Sequence, residues 1–483
     1  MAINSLQIAS ELYPLVKTGG LADVIGALPP ALNRLGAPAR ILIPGYPGVM
    51  AAAGAMSAIA EWPNLFGGGP ARVLEGTLEG VGAGAYVLDV PGFYGRPGTP
   101  YLDADGRDWD DNARRFAALG WTGAELARGL DPKWRPDVVH CHDWQSGLTP
   151  AYLAFDSAPR PKTAVAIHNL AYQGLFPADT FAWLGLPSAS FSPSGLEFYG
   201  QVSFLKAGLV TADRITTVSR TYSHEIQTVE HGCGLDGLLQ SRSGVLSGIV
   251  NGADYDVWNP ANDHRLPKPY GPDTLERKAA AKEALQKKLG LEVSAKAPLF
   301  GVVSRLTWHK GLDLLLGALP VLLQRDGQLA LLGTGEQGLE TGFREAASSA
   351  PSQVGAVLGY DEELAHLIIA GSDVVLVPSR AEPCGLTQIY AMKYGSLPLV
   401  RNTGGLADTV VNADAKAVAA GTATGFNFNL ATIDALAGTL GWVCDQWQDQ
   451  AQWQAIQQTA MGMDFSWDRA AKDYLALYQT LTS

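Results

Sequence analysis

Cysteine is scarce in this chain. Cys141, Cys233, Cys384 and Cys444 are scattered through 483 residues without a CxxC pair. That spacing speaks against a disulfide framework and against a zinc ribbon. Long apolar runs are also missing: none approaches the roughly 20 residues that span a bilayer, so no membrane partner is expected. Positive charge is in short supply, with a formal net charge of −12. Nucleic-acid surfaces need Lys and Arg clustered over one face, so no nucleic-acid partner is expected either. An anionic ligand must then rely on a local pocket built from a few cations. No GxxxxGK[ST] string occurs, which disfavours a P-loop kinase or ATPase. Low-complexity tracts and short tandem repeats are absent too. Residues Met1–Ser5 carry neither the basic stretch nor the apolar run of a secretory signal, and a cytoplasmic location is expected.

Glycine, by contrast, is abundant. The chain holds 55 glycines, is 47% apolar and 17% charged, and its length favours two or three α/β domains. Strand-like runs at Leu6–Ala9, Ala39–Pro44, Ala85–Val90, Asp137–His140, Ala164–Ile167 and Arg214–Val218 alternate with helical stretches such as Leu21–Leu35. A second series follows at Leu299–Val303, Leu329–Leu332, Ala356–Leu358, Val374–Pro378 and Leu397–Val400. Such alternation predicts parallel sheets with helical crossovers. Turn residues break the pattern around Gly248–Pro260, and a charged helix is expected over Thr274–Leu289, with Glu283 and Lys287 paired and Gly290 as C-cap. The expected domains are 1–247 and 248–455, with 456–483 closing the chain. Its last helix, Trp467–Leu481 behind Ser466, places Ala470, Ala471, Tyr474, Leu477, Tyr478 and Leu481 on one stripe.

The string Thr-Gly-Gly-Leu-Ala-Asp occurs twice, at Thr18–Asp23 and at Thr403–Asp408. Each copy follows a strand-like run and precedes a helical pattern. Lys17 stands beside the first glycine pair and Arg401 near the second. Paired glycines admit close backbone approach, and unpaired N–H groups at a helix start favour anions, so both turns are expected to face one anionic ligand. Ser304–Gly311 follows the first strand of the second series, so Arg305 and Lys310 should overhang the carboxyl end of its sheet, as a clamp for a diphosphate or as a solvated basic loop. Ser379–Gln388 follows the strand at Val374. There Glu382 sits in a turn fixed by Pro383, either holding sugar hydroxyls or capping a helix that begins at Gly385.

In the first series, alternation puts His140 and His142 on one face and Cys141 on the other, so three metal ligands do not converge. Asp143, beside Trp144, reads as a capping or sugar-binding carboxylate. His168 ends a parallel strand, as an active-site residue or a satisfied core histidine. Gly333–Gly338 matches the dinucleotide glycine pattern but lies on a later unit of its domain, which disfavours a nicotinamide enzyme. Asp103–Gly106 imitates a calcium loop without its closing glutamate. Asp254 and Asp256 could chelate a metal–diphosphate, though short acidic pairs are common in loops.

Taken together, Lys17–Val24, His142–Trp144, His168–Gly174, Val250–Gly252, Ser304–Gly311, Glu382–Gln388 and Arg401–Asp408 resemble the bacterial glycogen synthases and plant starch synthases, in the family's own order. The resemblance implies an α/β fold of two Rossmann-like domains facing a deep cleft, the GT-B glycosyltransferase arrangement, with the last helix returning to the first domain. It implies a retaining glucosyltransferase that adds glucose from ADP-glucose to the non-reducing end of an α-1,4-glucan in glycogen biosynthesis, with no metal and no other cofactor. By the same resemblance Glu382, His168, Arg305 and Lys310 are catalytic. Lys17, Gly20, Asp23, Asp143, Asn251, Tyr360, Cys384, Gly385, Leu386 and Thr387 bind substrate, Tyr360 by stacking on adenine. Many broader GT-B relatives carry a second glutamate eight positions after the first, where this chain has Tyr390, as the glycogen synthases do. Without that carboxylate a glycosidase-type double displacement is disfavoured. Front-face attack, with the leaving phosphate accepting the acceptor's proton, is the preferred mechanism.

Overall fold

Runs rich in Val, Leu and Ile become parallel strands here because helices cover both sheet faces, so every strand position must be apolar or satisfied. The computed structural model describes residues 2–483. The chain forms two compact units, one running to Gly252 and including Trp467–Ser483, the other Ala253–Ser466.

The first unit carries a nine-stranded sheet. Across it run Leu246–Gly248, Arg214–Thr217, Lys162–Ile167, Val138–His142, Ser5–Ile8, Ala39–Pro44 and Gly84–Asp89, all parallel. Ala71–Thr77 and Ser57–Trp62 then extend the edge in antiparallel fashion. In chain order the parallel strands run 3-2-1-4-5-6-7, the doubly wound Rossmann order with one strand added. The final helix, Trp467–Thr482, buries Trp467, Ala470, Ala471, Tyr474, Tyr478 and Leu481. It packs against Val24, Leu28 and Leu32 of the helix Gly20–Arg34 and against Val138 and Ala164. Leu477, expected on the same stripe, is only partly buried.

The second unit carries six parallel strands in the order Val354–Leu358, Gln328–Gly333, Leu299–Val303, Val374–Val377, Leu397–Arg401 and Phe426–Phe428. In chain order this is 3-2-1-4-5-6. Period-two alternation divides the strand residues between two cores, one on each sheet face. Phe300, Val302, Leu329, Leu331, Val374 and Leu376 enter one. Leu299, Ala330, Leu332, Val375, Val377 and Val400 enter the other.

Local differences from the sequence expectations have physical causes. The charged helix spans Lys278–Leu289 rather than starting at Thr274, whose φ of −134° breaks the helix after Pro272. Gly290 caps it in the left-handed region, and Glu283 pairs with Lys287 at 2.6 Å. Helix Gln450–Met461 lies in the second unit, so the chain re-enters the first at Trp467 rather than at 456.

Candidate functional site

In a doubly wound sheet, ligands bind beyond the carboxyl ends of strands one and four, where the strand order reverses. In the second unit those ends are Val303 and Val377, and the two loops that follow them are Ser304–Gly311 and Ser379–Gln388. Lys310 Nζ lies 2.6 Å from Glu382 Oε2, which also accepts from Ser379 Oγ at 2.9 Å. Glu382 Oε1 has no partner among the described residues. Lys310, Ser379, Glu382, Gly385, Leu386 and Thr387 line one pocket. Arg305 is exposed, and its side chain forms no ion pair among the described residues. Tyr360, after the strand Val354–Leu358, is 88% exposed. Cys384 is buried and supplies backbone: its carbonyl accepts from Gln388 Nε2 at 3.1 Å.

Two expectations about this region are corrected. The helix starts at Thr387, not Gly385, whose φ of +72° places it outside the helix. The second glycine pair does not face an anion. Gly405 N donates to the carbonyls of Glu382 and Pro383, both at 3.1 Å, and a Cβ at Gly404 or Gly405 would overlap the backbone of Glu382 or Cys384. Arg401 is likewise engaged with backbone, its Nε donating to Ser379 O at 2.9 Å and its guanidinium also reaching Arg380 O. The string is a cradle that shapes the Glu382 turn. Gly333–Gly338 has a similar supporting role: Glu336 Oε1 accepts from Trp308 N at 2.9 Å and Leu306 N donates to Thr334 O at 2.9 Å.

In the first unit the corresponding strand ends are Ile8 and His142, followed by Ala9–Asp23 and by Asp143. Here the glycines of the first string face open space, since a Cβ at Gly19 or Gly20 would meet nothing within 4 Å. Lys17 Nζ holds Asp23 at 2.6 Å. The N–H groups of Thr18 and Gly19 are not free, however. Both donate to Glu11 Oε2, at 2.6 and 3.0 Å, while Glu11 Oε1 accepts from Thr18 Oγ1 and the Tyr101 hydroxyl, each at 2.6 Å. Sequence reasoning missed Glu11, a carboxylate three positions past a buried strand. Its position at the carboxyl end of the first strand was the available signal.

Asp143 adopts φ +57°. Its Oδ1 accepts from His168 N at 2.7 Å, so the carboxylate braces the His168 backbone. Desolvation pushes its pKa up to about 7, against the lowering effect of hydrogen bonds from the His168 and Asn169 backbone. Burial pushes the His168 imidazole down to about 4, which leaves the ring neutral. Asn251 is 7% exposed, and its Oδ1 is buried without a partner among the described residues. A buried unsatisfied oxygen of this kind is costly unless something donates to it. Asp103 and Asp254 bind nearby backbone N–H groups in local turns. Among the described residues no group of three or more His, Cys, Asp or Glu is placed to hold a metal ion, and no helix is long and apolar enough to cross a membrane.

Comparison with known proteins gives a consistent picture. Residues 5–241 match the family model "Starch synthase catalytic domain", and residues 283–458 match "Glycosyl transferases group 1". The chain is 52% identical over 482 residues to a glycogen synthase of Rhodopseudomonas palustris, covering 99% of this chain and 97% of that protein. It is also 52% identical to glycogen synthase 2 of Bradyrhizobium diazoefficiens, over 99% of this chain and 98% of that one. Among solved structures, the catalytic domain of Arabidopsis thaliana starch synthase IV, bound to ADP and acarbose, superposes with a TM-score of 0.87 at 31% identity over the whole of both chains. A sucrose-phosphate synthase from Thermosynechococcus elongatus, at 16% identity and TM-score 0.59 over 99% of both chains, shares the fold.

Proposed function

The chain belongs to the glycogen synthase and starch synthase family of GT-B glycosyltransferases, and we propose on that footing that it transfers glucose from ADP-glucose to the non-reducing end of an α-1,4-glucan, with retention at the anomeric carbon. The observation that carries the reading is the pairing of Lys310 with Glu382 at 2.6 Å, at the strand-order reversal of the second sheet. That arrangement sets a cation and a carboxylate side by side, one for a leaving phosphate and one for sugar hydroxyls. The relative solved with ADP and acarbose supports a nucleotide donor and a glucan acceptor.

The chemistry follows from charge. Breaking a sugar–phosphate bond produces an oxocarbenium-like carbon and a more negative diphosphate, so fixed cations stabilise the transition state more than the ground state. Lys310 spends one of its three N–H groups on Glu382 and keeps the others for phosphate oxygens. Arg305, without an ion-pair partner among the described residues, adds a planar fork for the same diphosphate. Glu382 Oε1 accepts from a glucosyl hydroxyl, and Thr387 meets phosphate through its backbone. Tyr360 stacks on adenine. From the first unit, Lys17, Gly20 and Asp23 serve the diphosphate and acceptor side, and neutral His168, backed by Asp143, serves the glucosyl ring together with Asn251. Cys384, Gly385 and Leu386 hold Glu382 and Thr387 in register. A cytoplasmic setting and independence from metal are part of this reading.

The test is transfer of labelled glucose to glycogen from ADP-glucose and, separately, from UDP-glucose, with the product digested by an α-1,4-specific amylase. Label in amylase-sensitive glucan, with ADP-glucose the better donor, is the expected result. Absence of transfer from either donor would overturn the assignment.

A further inference from the structure

One hydrogen-bonded chain of side chains crosses the interior of the first unit and ends at His168. His168 Nε2 lies 3.0 Å from His142 Nδ1, and His142 Nε2 lies 3.0 Å from Gln7 Oε1. Gln7 Nε2 donates to the Tyr478 hydroxyl at 3.1 Å and to Ser5 Oγ at 3.0 Å. The Tyr478 hydroxyl lies 2.8 Å from His140 Nδ1, and His140 Nε2 lies 3.2 Å from Thr216 Oγ1. Gln7, His140, His142, Thr216 and Tyr478 are fully buried, so water cannot substitute for a missing partner.

The amide sets the direction of the chain. Both N–H groups of Gln7 are spent on Tyr478 and Ser5, and its Oε1 can only accept, so His142 Nε2 carries the hydrogen. Burial keeps His142 and His168 neutral. His142 Nδ1 is then bare and accepts from His168 Nε2–H, which leaves the lone pair of His168 on Nδ1. At the other end, Tyr478 accepts from Gln7 and turns its own hydrogen toward His140 Nδ1. The donor–acceptor order therefore depends on a hydroxyl carried by the final helix, hundreds of residues away in the chain.

We propose that Gln7 and Tyr478, acting through His142, are positioning residues that hold His168 as the Nε2–H tautomer, so that its Nδ1 accepts a hydrogen bond from a hydroxyl of the transferred sugar. The functional half of this proposal rests on the reading of His168 given above. It gives the final helix a part in the chemistry beyond packing: the helix orders the protons of a site residue it does not touch.

The test uses the full chain labelled with ¹⁵N-histidine and long-range ¹H–¹⁵N correlation spectra, which distinguish protonated from bare ring nitrogens. The unaltered protein should show His168 protonated at Nε2 and bare at Nδ1. Tyr478→Phe keeps the ring but removes the hydroxyl that fixes the amide, and should give a mixture of His168 tautomers. Its kcat should fall roughly 10-fold, with KM for ADP-glucose nearly unchanged. Gln7→Glu, which keeps an acceptor facing His142 Nε2, should retain the original tautomer. A hydrogen on His168 Nδ1 in the unaltered protein would overturn the relay. So would a Tyr478→Phe protein with unchanged tautomer and unchanged kcat. Full transfer by His168→Ala would overturn the functional half alone, since the spectra report the tautomer independently of turnover.

Discussion

The same substitution placed in the two identical strings should have opposite consequences. In Gly405→Ala the new Cβ would lie 2.5 Å from Cys384 Cα, where carbon atoms in contact sit about 3.5–4.0 Å apart. Part of the Glu382–Gly385 turn must therefore retreat by roughly 1 Å. Overpacking of this kind costs about 1–3 kcal/mol of stability in the second unit. A displacement of that size at a reacting group costs on the order of 100-fold in rate, because Glu382 moves with the turn and shifts relative to Lys310 on the neighbouring loop. In Gly19→Ala the new Cβ meets nothing within 4 Å, and φ is −154°, a value any residue adopts. Its stability should stay within about 0.5 kcal/mol of wild type, and any loss of activity then measures how closely a ligand approaches that backbone. The assay pairs denaturant unfolding with transfer of labelled glucose from ADP-glucose to glycogen. A Gly405→Ala protein that unfolds and transfers like wild type would falsify the cradle.

Lys310→Ala should lower kcat by about two to three decades, the effect of removing one preorganised electrostatic group, with little change in melting temperature; turnover within a few-fold of wild type would remove Lys310 from the diphosphate clamp. EDTA should leave transfer intact, and activity lost to EDTA and restored by Mg²⁺ or Mn²⁺ would bring Asp103 and Asp105 or Asp254 and Asp256 back into the mechanism. Acid should weaken the first unit through its buried histidines. Burial lowers His168 to about 4 and His140 to about 3, with His142 also well below 6.5, so these groups are neutral in both states above pH 6.5. Below that the unfolded chain takes up protons that the folded one refuses. Their contribution is thus lost as pH falls from 6.5 toward 4, at up to about 1.4 kcal/mol per pH unit for each histidine. Unfolding free energies that are flat between pH 7 and pH 5 would refute this.

Strand positions, the two-unit plan and the site loops were legible in the sequence because each follows from local pattern. Apolar runs such as Leu299–Val303 and Ala39–Pro44 match the observed strands, since a strand buried on both faces must be apolar throughout. The loops carrying Lys17, His168, Arg305, Lys310 and Glu382 were marked by glycine, charge and position after a strand. Short edge strands such as Phe426–Phe428 were missed, because three residues carry no periodicity.

What the sequence could not decide was which identical string did which job. Thr18–Asp23 and Thr403–Asp408 share every residue, yet one presents its glycines to open space and the other packs them against the Glu382 turn. The difference lies in what stands opposite, and strand order alone sets that. Asp143 bracing the His168 backbone and Tyr478 joined through Gln7 to His142 are likewise contacts between residues remote in the chain. Local preference selects elements and turn types. The burial of polar groups, which forces each to find a partner wherever the fold brings one, decides the rest.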